Sequence, residues 1–204
     1  MGARDEINQP KTQLQGFGFG FNERAFNVHG HVTAILSEGS NERKVLDRKN
    51  IYTLDGGVLA AMLFSGISRA PTMLGVGIGA SGSASSPDSP DANQRKLNSE
   101  LERKIFASVV FRDSAGAISA VPTNVVDFTT VFEGNEAVGP LNEMGILATY
   151  DASESVTTPL TDTFPNRDTT TDLNDYDILV NYLPFPVINK PSGSTLAITW
   201  RLTF

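Results

Sequence analysis

Thr195-Leu196-Ala197-Ile198-Thr199-Trp200-Arg201-Leu202-Thr203-Phe204 alternates without a miss. Leu196, Ile198, Trp200, Leu202 and Phe204 share one side, and Ala197, Thr199, Arg201 and Thr203 the other. Successive strand side chains point to opposite faces, so this stretch predicts a half-buried β-strand with one face in a core and the other toward water or a neighbour. The chain reaches it through Pro191-Ser192-Gly193, a turn signal.

Working back, the same period recurs. Phe26 to Leu36 places Val28, Val32, Ala34 and Leu36 opposite His29, His31 and Thr33. Lys44 to Leu54 continues extended. Leu101 to Arg112 predicts a strand with Ile105, Ala107, Val109 and Phe111 on one face, and Val125 to Phe132 one with Val126, Phe128 and Phe132 inward. Thr72 to Gly79, Leu141 to Tyr150 and Tyr176 to Val187 complete seven or eight strands. In the last of these, Pro184 and Pro186 fit only an edge or a bulge, because proline cannot donate to a ladder. One helix is expected, over Gly57 to Phe64, capped by Asp55, with Leu59, Met62 and Leu63 at spacings of three and four and Gly66 ending it.

Composition agrees. The 204 residues are 40% apolar and 19% charged, and 18 glycines and 11 prolines take up the shortfall, as expected for short strands joined by many turns. The expected architecture is all-β: a single β-sandwich of jelly-roll type over residues 26–204, with one short helix and an extended N-terminal arm over 1–25. In the arm, Phe17, Phe19 and Phe21 alternate with glycines and need another surface to bury against. Residues 151–175, rich in threonine, serine and aspartate, read as a long loop insertion outside the core.

The net charge of −7 argues against a sequence-independent grip on nucleic acid, which needs clustered Lys and Arg. No apolar run approaches the roughly 20 residues of a membrane span, and no leader pattern opens the chain, so a soluble, unprocessed product is expected. With no cysteine, disulfides, thiolate metal sites and a cysteine nucleophile are excluded.

Chemistry is sparse. Gly75-Val76-Gly77-Ile78-Gly79 has the look of a phosphate-binding loop, but a Ser/Pro loop follows where a helix must open, so crowding or a bulge in a strand is the better reading. His29 and His31, the only histidines, fall on one strand face at i, i+2 and make half a metal site, which a three-fold axis could complete; two exposed polar residues is the plainer reading. Asp162, Asp168, Asp172, Asp175 and Asp177 lack the spacing of a calcium loop. Glu133 with Glu136, or Glu143 alone, are the only pairings offered for glycoside cleavage, and carboxylates near turns usually face water. No cofactor is expected.

Several segments together resemble a group of tailed-bacteriophage virion proteins of tail-fibre, collar or neck type. They are Arg48-Lys49-Asn50-Ile51, Leu74 to Gly79 before a Pro/Asp loop, Leu97 to Lys104, Leu141 to Leu147, and above all Phe185-Pro186-Val187-Ile188-Asn189-Lys190 leading into the closing strand. The likeness spans about residues 43–204; the arm and the 151–175 insertion depart from it. It implies a non-enzymatic virion subunit, made in the host bacterial cytoplasm, that forms or decorates the tail, neck or collar. Its partners would be copies of itself and other phage structural proteins, with no nucleic acid and no membrane. The arm phenylalanines and Thr199, Arg201 and Thr203 are the expected assembly contacts. The alternatives are a receptor- or carbohydrate-binding module of a tail fibre, using Tyr150, Tyr176 and Tyr182 beside aspartates, and a capsid decoration protein.

Overall fold

The computed structural model describes residues 28–66, 72–80, 91–149 and 178–204. The expected arm and the 151–175 insertion lie outside these residues. The described chain is all-β with one helix, in the order β1 (His29–Glu38), β2 (Asn41–Tyr52), α1 (Leu54–Phe64), β3 (Thr72–Gly79), β4 (Glu100–Ile105), β5 (Ser108–Arg112), β6 (Ile118–Ser119), β7 (Val125–Phe132), β8 (Gly139–Thr149), β9 (Ile178–Lys190) and β10 (Thr195–Thr203). All pairings are antiparallel and form one sheet in the order β4-β3-β8-β9-β2-β1-β10-β7-β5-β6.

That order forces a curl. β4 lies at one end of the sheet and β5 beside the other, yet only Phe106 and Ala107 separate them in the chain. The sheet must bend round until its ends meet, and the Ala107 amide donates to the Thr129 carbonyl of β7 where they do. One cluster of buried side chains fills the interior. Val32, Ala34 and Leu36 of β1 and Leu196, Ile198, Trp200 and Leu202 of β10 meet Val76 and Ile78 of β3 and Met144 and Ile146 of β8 there. The closing strand thus sits in the middle of the sheet, paired with β1 from His29–Thr203 to Ser37–Thr195 and with β7 on its other side.

The seam in the curl is between β2 and β9, which share only Ile51–Tyr182 and Tyr52–Asn181. Beyond these pairs the strands diverge around a hollow of about 320 Å³ lined by Arg43, Lys44, Val45, Val187, Ile188 and Asn189. Pro184 and Pro186 lie on this diverging part of β9, where β8 also carries a register shift between Leu141 and Glu143, so the edge-or-bulge reading of the two prolines holds.

Three expectations need correction. The described residues form ten strands, where seven or eight were expected of the chain. The helix starts at Leu54 and is capped by Thr53, not Asp55: the Thr53 hydroxyl accepts the Gly56 amide and donates to the Leu179 carbonyl, tying the cap to β9. Leu59 is buried, but Leu63 is exposed; Gly66, at φ +69°, follows the cap residue Ser65 as expected of a helix stop. Lastly, Leu101 to Arg112 is two strands, not one. Ile105 and Val109 are exposed, while Arg103 is buried on an ion pair with Glu100 and Phe106 packs against Phe128 at 4.9 Å between ring centroids. The bend at Phe106–Ala107 interrupts the alternation that the sequence displays.

Candidate interaction face

The two outward faces of the curled sheet differ. Over β3, β8 and β9 the segment 91–99 forms a cover: Leu97 packs on Leu147, Leu179 and Tyr182 in a second buried cluster. Glu143, fully buried, fastens it. Its carboxylate accepts the backbone amides of Asn98 (3.1 Å) and Ser99 (2.7 Å) and the Tyr182 hydroxyl (3.2 Å). A carboxylate so enclosed is a structural anchor, closed to the substrate that Glu143 alone was offered to cleave. Glu136 instead ion-pairs with Lys104 and accepts the Glu133 amide, in the loop whose carbonyls at Glu133 and Gly134 receive the buried Lys190 ammonium.

The face over β2, β1, β10 and β7 has no such cover among the described residues. The register places Lys49, His31, Arg201 and Asp127 in one cross-strand row and Asp47, Thr33, Thr199 and Thr129 in the next. Two carboxylates organise it. Asp47 lies 2.6 Å from His31 Nε2 and 2.5 Å from Lys44 Nζ, and the hydrogen bonds from Lys44 first and His31 second hold its carboxyl below the ordinary range. Asp127 is 1% exposed and takes Arg201 Nε at 2.7 Å on one oxygen and Arg112 Nε at 2.7 Å and Arg201 Nη2 at 2.9 Å on the other. Between His31, Thr33, Thr199 and Arg201 lies a shallow hollow of about 360 Å³.

Burial pushes the Asp127 carboxyl up, but the Arg201 and Arg112 hydrogen bonds outweigh it, and the net shift is downward. Because the folded-state value lies below the unfolded one, the stabilisation is complete above the ordinary value of 3.8 and disappears as pH falls through the lowered one. Both arginines are partly solvated, so the Asp127→Asn substitution should cost only about 1 kcal/mol at neutral pH. That gap to the unsubstituted chain should close in acid; urea titrations at neutral and acidic pH check it.

Thr199, Arg201 and Thr203 therefore stand where the alternation put them, half-exposed on the uncovered face, and His29 and His31 are beside them on β1. His31 is engaged with Asp47, and the described residues contain no group of three or more His, Asp or Glu side chains able to hold a metal. Phe17, Phe19, Phe21, Tyr150, Tyr176 and the aspartates between 162 and 177 lie outside the described residues. Tyr182 is fully buried and cannot serve as an exposed aromatic platform, which removes one of the three tyrosines proposed for a glycan site. Sequence reading missed Asp127, the centre of the face. Its only signal was a charged residue inside the apolar run Val125 to Phe132, 74 positions from Arg201. Two of the three glycines of Gly75 to Gly79 answer to backbone crowding: a Cβ at Gly75 would stand 1.9 Å from the Lys104 carbonyl oxygen and one at Gly79 2.2 Å from that of Ser99, while one at Gly77 would meet side chains of Leu147 and Leu97 at 3.0 and 3.1 Å.

No protein-family model matches the chain, and no curated protein matches it significantly.

Proposed function

We propose that this chain is a non-enzymatic structural subunit of a tailed-phage particle, forming or decorating the tail, neck or collar through contacts with copies of itself and with other virion proteins. The uncovered, ion-paired face of β2-β1-β10-β7 carries the reading. It presents a broad, ordered polar surface, and the buried charges at Glu143, Arg103 and Lys190 are engaged in holding the fold together. The segments quoted for the virion resemblance support it as well. A β-sandwich of jelly-roll type is part of the proposal. The nesting of β1 with β10, β2 with β9 and β3 with β8 supports that type, while the β1–β2 and β8–β9 ladders, which join successive strands side by side, depart from it.

Light scattering on the purified full chain tests the assembly, and labelling in micrographs of intact particles tests the station. Removal of residues 1–25 should leave a folded domain, since the described ladders and core are built from His29 onward. It should also weaken assembly. Unchanged assembly after the deletion would count against the arm as a contact element.

A further inference from the structure

The outward face of β2, β1, β10 and β7 is neutral in sum but charged at its ends. At the end that holds His31, the cations Lys49, Arg201 and Arg112 stand against the single carboxylate of Asp127. At the far end, roughly 20 Å away along the strands, Glu42 lies opposite Ser37 and Glu133 accepts the Thr195 hydroxyl. Between the ends Lys44 and Asp47 pair with each other, and the cross-strand row Ile35, Ala197 and Val131 is apolar. The face is therefore positive at one end, negative to the same extent at the other, and without net charge between.

We propose that this face pairs with the same face of a second copy, across a twofold axis that lies in the contact plane and runs across the strands. The proposal rests on the reading of the protein as a self-assembling subunit and fixes the orientation of one contact. Such an axis reverses strand direction and lays β2 over β2 and β10 over β10. It sets Lys49 of each copy against Glu42 of the other, twice in one contact, and brings Arg201 of each over Thr195, beside Glu133, of the other. Arg201 suits this contact because Asp127 holds its Nε and Nη2, leaving further N–H groups for an incoming carboxylate. The axis passes between the Thr33–Thr199 row and the Ile35–Ala197 row, so the apolar row of each copy meets the threonines of the other. Pairing the faces with strands parallel would set like ends together, which opposes that arrangement. The size is sufficient. Four strands at about 4.8 Å, over the 8 residues of the shortest, β7, at about 3.3 Å each, make a platform of roughly 500 Å². Two copies would bury on the order of 1,000 Å², where specific interfaces begin.

Sedimentation velocity of the full chain over a range of concentrations, in low and high salt, tests this. Self-association should weaken in high salt. Lys49→Glu and Glu42→Lys, both at exposed positions outside the Asp127 cluster, should each weaken it about tenfold. An equimolar mixture of the two single variants should recover most of that loss, because both contacts across the axis then join opposite charges. A chain carrying both substitutions should recover it too. Recovery on mixing follows neither from misfolding of a variant nor from a contact within one chain. Salt-insensitive association, single variants that associate unchanged, or a mixture that recovers nothing overturns the inference and leaves the subunit reading standing. A chain monomeric under every condition overturns both.

Discussion

Replacing Glu143 with alanine is expected to cost about 3–5 kcal/mol, a large fraction of the roughly 5–15 kcal/mol by which a domain is stable. The side chain has no exposed surface and no solvent to take its place when it is removed. Its loss would take a carboxylate acceptor from the exposed Asn98 and Ser99 backbone and from the buried Tyr182 hydroxyl, and a hydrogen bond to a charged group is worth about 1.5–3 kcal/mol. It would also release Leu97 from the cluster it forms over β8 and β9. Glu143→Gln keeps the volume and one acceptor oxygen but points an amide donor at other donors, so about half the loss is expected from it. Urea unfolding monitored at Trp200, on the opposite layer, gives the global effect, and proteolysis within 91–99 reports release of the cover. A loss below about 1 kcal/mol for Glu143→Ala would show that the cover is held by other means.

Gly75→Ala is expected to be nearly as damaging. The Lys104 carbonyl of β4 passes so close to Gly75 that an added methyl carbon would sit 1.9 Å from its oxygen and 2.7 Å from the Ile105 Cα. Backbone cannot rotate out of the way as a side-chain tip can, so the β3–β4 ladder must separate locally, at a cost of about 3 kcal/mol. Gly57→Ala is the control: nothing lies within 4 Å of the new Cβ, the site is in a helix, and a gain of up to about 1 kcal/mol is expected. Comparable thermal midpoints for the Gly75 and Gly57 variants would refute the crowding account of the glycine-rich strand.

The parts of the fold legible beforehand are those governed by local period. Thr195 to Thr203, Val32 to Leu36 and Val126 to Phe132 alternate because one face of each meets the interior, and the structure buries the faces the sequence marks; Phe204, assigned to the same face, lies past the end of β10 and is exposed. Pro191-Ser192-Gly193 turns as expected, with Gly193 at φ +83°. What could not be read depends on neighbours distant in the chain. Arg103 is buried because Glu100 accompanies it beneath the surface, and no hydropathy pattern marks a buried arginine. Ile105 and Val109 look inward on paper but flank the bend where the sheet passes from one end of its order to the other. The helix start hinged on whether Thr53 or Asp55 provided the capping oxygen, both being good caps, and contact of Thr53 with Leu179 and Val180 decided it. At the candidate face, Arg201 and the two threonines were visible as the outward half of one strand. The clamp of Asp127 by Arg112 and Arg201 was not, because it joins three strands.

The pairing of β1 with β10 also bears on mechanics. His29 opposes Thr203, so Val28 and Phe204 leave the described body side by side, at the same end of one antiparallel ladder. Tension applied between those two points would load the hydrogen bonds of that ladder in succession, peeling it open from His29–Thr203 toward Ser37–Thr195 at low force. Pulling along the strands from opposite ends would load them together. In the proposed subunit, a grip on the broad faces would spare this ladder, whereas a grip at Val28 and Phe204 would open it.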